Sequence, residues 1–352
     1  MKPHTFAGLL VAAVVTSGLA LASYASNNRV SRPKVSGAPL VTGLAANAGR
    51  IARVEISQGE KSVVLALDGN AWVVANRGNY PARAEAVRSL LVKMAEADLV
   101  EPKTNMKDRF GLLELEDPAG KDAKSRLVRL LDAKGGVISE VVIGKKRFDA
   151  FGANRAGTYV RRPNETQTWL ASADLEASVG AKDWVAPAVL DVQPAKIAAV
   201  TIEVPGEPPL KLVRDAAGGP APKFNIANLP ADKKAKDGAA PDTLVRAAAT
   251  LDLDDVRKAD PGAKADAGTV TIEGEKGLKV VIGLRKSGDD TWATITATGA
   301  DGEAKTHAEE IAKKTAGWDY KLPAGKASAI LKKQADLVED AEPKKDAGTP
   351  KQ

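Results

Sequence analysis

The chain has 352 residues, 44% of them hydrophobic but only 4% aromatic, so its core must be built from Val, Leu, Ile and Ala. Its formal charge of +6 comes from 51 basic against 45 acidic residues spread along the chain. That pattern lacks the concentrated basic face with stacking aromatics that a nucleic-acid binder uses. The absence of cysteine excludes disulfides, thiolate metal sites, cysteine nucleophiles and a lipidated cysteine.

In chain order, Lys2 is followed by an uncharged apolar stretch that lasts until Arg29. A short positive region before an apolar run is the pattern of an export signal. Ala20-Leu21-Ala22 before Ser23 has the small-x-small form of a cleavage site. Residues 6–25 are also long enough to cross a bilayer as a helix and remain as an anchor. Residues 1–25 are thus expected to be an export signal or membrane anchor, and 26–46, rich in Ser, Asn, Pro, Gly and Ala, a flexible spacer.

From residue 47 onward the sequence repeats itself. Ile51-Ala52-Arg53-Val54-Glu55-Ile56 matches Ile197-Ala198-Ala199-Val200-Thr201-Ile202, both with the alternation of a half-buried strand. Trp72 to Asn76 matches Phe224 to Asn228. A proline follows each, Pro81 or Pro241, placed to open a helix. The helices are expected over 82–97, with Val87, Leu90, Leu91 and Met94 on one face, and over 242–251, with Leu244, Val245 and Ala248 on one face. Val141-Val142-Ile143-Gly144 then matches Val280-Val281-Ile282-Gly283, Thr158-Tyr159-Val160 matches Thr291-Trp292-Ala293, and Asp183-Trp184 matches Gly317-Trp318. The expected fold is therefore α+β: a tandem duplication of a strand-rich unit (β-meander, helix, further strands), over 47–192 and 193–338, after an N-terminal apolar helix. Residues 339–352, charged with Gly and Pro, are expected to be a disordered tail.

Residue types that carry chemistry are scarce. Of the two histidines, His4 lies in the export segment and His307 stands alone after strands, as an exposed turn residue does. Gly325-Lys326-Ala327-Ser328 lacks the earlier glycine of a phosphate loop, Tyr320 standing in its place. Asp252, Asp254 and Asp255 lack the spacing and glycine of a calcium loop and read as a helix exit. No catalytic, cofactor or metal residue is assigned, and a hydrolase would need convergent carboxylates in a pocket. The five tryptophans read as core rather than as a sugar-binding face. The densest cationic group is Lys145, Lys146 and Arg147 with Arg155, Arg161 and Arg162 nearby. It reads as a solvated strand and turn, or as a surface for an anionic partner such as lipid headgroups or an acidic polymer.

Several of these segments together resemble the domain of unknown function 4340 family. They are Arg109-Phe110-Gly111-Leu112, Val141 to Gly144, Thr158-Tyr159-Val160-Arg161-Arg162, Thr168-Trp169-Leu170, and Trp184 with Leu190-Asp191-Val192 before Ile197. The resemblance covers roughly 45–335 and is weaker in the second unit, where Trp292-Ala293-Thr294 replaces Tyr-Val-Arg. Members of that family are often encoded beside ABC-transporter components of the gliding-associated kind. The resemblance implies a non-enzymatic, membrane-tethered periplasmic accessory protein that contacts a membrane-protein complex, with the inner membrane reached through residues 6–25. The other expectation is a periplasmic module that binds envelope polymer or lipid between the units.

Overall fold

A computed structural model describes residues 37–216, 222–227, 229–236 and 241–341. The expected export segment, the first part of the spacer and most of the expected tail lie outside them. No helix among the described residues is long and apolar enough to cross a membrane.

The fold is α+β, dominated by two antiparallel sheets of ten and eight strands. The first sheet uses β1 (Ala38–Pro39), β2 (Ile51–Gln58), β3 (Lys61–Asp68), β4 (Ala71–Val74), β5 (Tyr80–Pro81), β6 (Asp98–Pro102), β7 (Arg126–Asp132), β8 (Val137–Arg147), β9 (Gly157–Arg161) and β10 (Thr168–Ala171). Its order is β1-β6-β10-β9-β8-β7-β2-β3-β4-β5. Helix α1 (Ala84–Glu96) lies between β5 and β6 and buries Val87, Leu90 and Met94 at the expected helical spacing. Next come β11 (Ala188–Asp191), β12 (Ile197–Glu203), β13 (Leu210–Arg214), β14 (Phe224–Ile226), β15 (Lys233–Ala235), helix α2 (Pro241–Ala249), β16 (Thr250–Asp252), β17 (Asp255–Lys258), β18 (Gly268–Gly274), β19 (Lys279–Ser287), β20 (Asp290–Thr298), helix α3 (Gly302–Thr315), β21 (Trp318–Lys321) and β22 (Val338–Asp340). The second sheet runs β17-β21-β20-β19-β18-β12-β13-β14.

Both sheets therefore set their strands out in one order, with β6, β10, β9, β8, β7, β2, β3 and β4 standing where β17, β21, β20, β19, β18, β12, β13 and β14 stand. Register follows. Val54 faces Leu65 and Leu130, and Val200 faces Leu212 and Ile272. Trp72 and Phe224 occupy one ladder position, opposite Leu67 and Arg214. Three of the sequence matches do not survive as drawn. Pro81 lies in β5, short of α1, whereas Pro241 does open α2. Val141 faces Val128, whereas it is Ile282, not Val280, that faces the equivalent Val270. The slip is two residues, which keeps every side chain on its own face and so leaves the apolar pattern unchanged. Trp184 follows a short turn at Ala181–Asp183, whereas Trp318 opens β21, so these two are not equivalent.

Several contacts cross the expected boundaries. Leu40, Val41 and Leu44, expected in the spacer, are buried, and β1 pairs with β6. Likewise β11, expected at the end of the first unit, pairs with β16 of the second, and Val338–Asp340 pairs with β15 rather than belonging wholly to the tail. Helix α3 was not legible as a helix because its buried face is Ala304, Ala308, Ile311 and Thr315, with a single large aliphatic residue. His307 consequently lies on a helix and not in a turn.

One contiguous apolar cluster runs through both units, from Val54, Ile56 and Leu130 to Val200, Ile202 and Ile272, with Trp184, Val185 and Leu190 among its members. The junction adds polar ties. Arg77 Nε donates to Asp255 at 2.7 Å, Lys182 Nζ to Asp254 at 2.9 Å, and the Tyr80 ring meets Trp318 edge-on at 4.8 Å. Asp254 and Asp255, read as a helix exit, are thus anchors for first-unit cations.

Helix α3 is fastened at its start by Glu303, which accepts from Lys276 at 2.9 Å and Lys196 at 3.1 Å. These two hydrogen bonds hold its carboxyl down at about 2, from an ordinary 4.5. A depressed carboxyl contributes stability that is whole above pH 4.5 and drains as pH falls toward 2. Thermal melts are expected to show a Glu303→Gln chain that is less stable at pH 6 but converges on the parent near pH 2. A constant gap across that window would refute the linkage.

Candidate functional site

Three segments far apart in sequence meet on the outer face of the first sheet. The turn Lys107–Leu113 lies across β8 and β9, burying Phe110 and Leu115 with Val142 in a second, smaller core beside Tyr159. Gly144 is what lets it approach: a Cβ there would stand 2.3 Å from the Leu113 carbonyl oxygen and 2.9 Å from that of Glu114. Arg161 completes the clamp. Its guanidinium lies 5.0 Å from the Phe110 ring centre and donates to the Pro163 carbonyl at 2.8 Å and to that of Leu115 at 3.3 Å. The turn leaves Met106 and Leu112 exposed, at 51% and 68%.

The six cations singled out in the sequence therefore do not make one surface. Arg161 is buried and spends its donors on backbone carbonyls. Lys146 is held by Asp174 at 2.5 Å and Glu176 at 3.6 Å. Arg162 pairs with Glu165 at 3.2 Å and Arg147 reaches Glu101 at 3.9 Å. Lys145 is exposed and Arg155 partly so, either side of a hairpin tip that carries Phe148 at 74% exposure.

A hollow of about 570 Å³ lies in the first unit between one side of α1, the ends of β7 and β8, and the segment 174–184. Helical spacing brings Arg83, Ala86, Leu90 and Lys93 to it, and Trp184 and Leu175 add apolar wall. Arg126 enters from β7; burial pushes its pKa below the usual guanidinium range. Its Nη2 donates to the Gly144 carbonyl at 2.9 Å, while its buried Nε has no partner. Asp174 Oδ1 is likewise buried without a partner. A second hollow of about 490 Å³ lies at the junction and is lined by charged side chains, among them Lys61, Arg77, Lys182 and Asp255.

In the second unit, Asp319 is fully buried and holds both Arg257, at 3.3 Å, and Arg285. Arg257 lies 3.8 Å above the Trp292 ring. No sequence motif marked this group, because Asp319, Arg257 and Arg285 come from three separate strands. Trp184 is in the main core, Trp72, Trp169 and Trp318 pack against it, and Trp292 is buried under Arg257. No group of three or more metal-ligating side chains occurs among the described residues.

No curated protein and no solved structure matches the chain. A family model described as a domain of unknown function (DUF4340) matches residues 72–271. That span starts in β4 and ends in β18, so it takes in the turn, Gly144, Arg161 and the junction, and crosses from one unit into the other. The chain belongs to the DUF4340 family.

Proposed function

We propose that this chain is a non-enzymatic periplasmic accessory protein, tethered to the inner membrane through residues 6–25, that works by protein–protein contact with a membrane complex of the ABC-transporter kind. Its folded part is a tandem duplication, a reading supported by the shared strand order of the two sheets. The observation that carries the contact role is the turn Lys107–Leu113. The fold commits a small core, a glycine and a buried arginine to holding this turn rigid, yet leaves Met106 and Leu112 in solvent. Rigid, exposed apolar side chains on a fixed loop are what a protein interface uses as anchors.

The test is photo-cross-linking in intact cells from a reactive side chain placed at Leu112. The expected product joins the chain to an integral membrane subunit and disappears when Met106 is changed to Asp. Recovery of the chain only in the soluble fraction, with no such product, would overturn the proposal. A second reading, a periplasmic module that binds envelope polymer or lipid, is favoured by the 570 Å³ hollow beside α1.

A further inference from the structure

We propose that the hollow between α1, β7 and β8 binds a small oxyanion bearing neighbouring hydroxyl groups, that is, a phosphate- or carboxylate-substituted polyol. The proposal rests on the second reading above and gives it a place and a ligand chemistry. The volume, about 570 Å³, lies in the range of small-molecule sites.

Charge decides the ligand's sign. Of the cations around the hollow, Lys146 is already neutralised by Asp174 and Glu176. The lining as a whole sets four cations, Arg83, Lys93, Arg126 and Lys146, against three carboxylates, Asp174, Glu176 and Asp183, an excess of one positive charge. Arg126 is the informative one. On the same strand, Arg129 holds two carboxylates, Glu140 at 2.7 Å and Glu55 at 3.0 Å. Arg126 hydrogen-bonds one backbone carbonyl and leaves its buried Nε without a partner. Glu114 acts on it only from beyond ion-pair distance, and holding a cation out of water without a paired counter-charge is costly, a cost that a planar oxyanion brought to its fork would reduce. Lys93, one helical turn from Leu90, supplies a second positive charge to the same space.

The rest of the wall speaks for hydroxyls. Asp174 keeps an oxygen free to accept, its other oxygen being taken by Lys146. Ser89 adds a hydroxyl from α1, and Trp184, buried in the main core, backs the wall with its Nε1 donating to the Ser178 carbonyl at 2.9 Å.

The full-length chain in detergent would be titrated with glycerol phosphate, inorganic phosphate and glycerol. Heat and tryptophan fluorescence would be read, and hydrogen exchange mapped over 83–93 and 174–184. Saturable binding of glycerol phosphate is expected, tighter than inorganic phosphate, with none for glycerol. It should weaken about tenfold or more in Arg126→Gln, the loss expected for one charge-assisted hydrogen bond. Lys93→Gln, a helix-surface change that leaves the sheet untouched, should weaken it as well and guards against misfolding of the first variant. Vesicles of phosphatidylglycerol against phosphatidylcholine separate the sources. Binding to the former alone assigns the anion to a lipid headgroup, and binding of free glycerol phosphate assigns it to a solute or polymer unit. No binding in either arm overturns the site. Binding that both variants leave unchanged, with exchange protection elsewhere, overturns this site while leaving a ligand-binding role intact.

Discussion

Asp319→Ala is expected to cost the chain about 3–5 kcal/mol, the usual effect of removing one partner from a buried ion pair. Asp319 is completely buried in β21 and receives Arg257 and Arg285 from β17 and β19. Without it, Arg285, itself only 12% exposed, is left as an uncompensated charge, and Arg257 keeps only its place above Trp292. Chemical denaturation followed by far-UV circular dichroism would measure the loss. Asp319→Asn, which keeps an acceptor but no charge, should lose less. Pairing Asp319→Leu with Arg285→Met should recover much of the deficit, because replacing both charges removes the stranded one. A shift of under about 1 kcal/mol for Asp319→Ala would show that the arginines relax into solvent at little expense.

Gly144→Val is expected to be the most damaging change in the first unit. The new side chain would begin 2.3 Å from the Leu113 carbonyl oxygen and 2.9 Å from Leu115 Cδ2, and the nearest obstacle is backbone that cannot swing aside. The turn must lift, which uncovers Phe110 and Leu115 and strips Arg161 of its ring and its Leu115 carbonyl. Returning two large apolar side chains to water costs about 3–5 kcal/mol. Limited proteolysis offers a local readout, with new cleavage expected between residues 103 and 116 before global unfolding. Protection equal to that of the parent would mean that the turn is not seated through Gly144.

How much of this could be read in the sequence depends on the distance over which each signal acts. The meander and helices α1 and α2 were legible because alternation and helical spacing are local: Val54 and Val200, like Trp72 and Phe224, occupy matching ladder positions. Matching by residue type failed where period-two patterns tolerate a two-residue slip, at Val141 against Val280, and where two tryptophans merely share a neighbourhood in sequence, at Trp184 and Trp318. The motif residues Phe110, Gly144 and Arg161 were visible one by one, but only the fold brings them to one clamp. The group of cations was the least faithful guide, since charge in a sequence carries no information on partners; Arg161 turned inward and Lys146 acquired two carboxylates. Asp319 and Arg126 were unmarked, because what distinguishes them is burial against remote residues.

The contact through Arg77 and Tyr80 bears on self-association. β17 is the outermost strand of the second sheet, and the Ala75–Arg77 turn and the Ala181–Asp183 turn of the first unit lie close to it. A strand in that position would otherwise offer a row of unpaired amides and carbonyls to any other chain. The first unit thus serves the second as a shield against edge-to-edge pairing, and the Arg77–Asp255 and Tyr80–Trp318 contacts keep it in place.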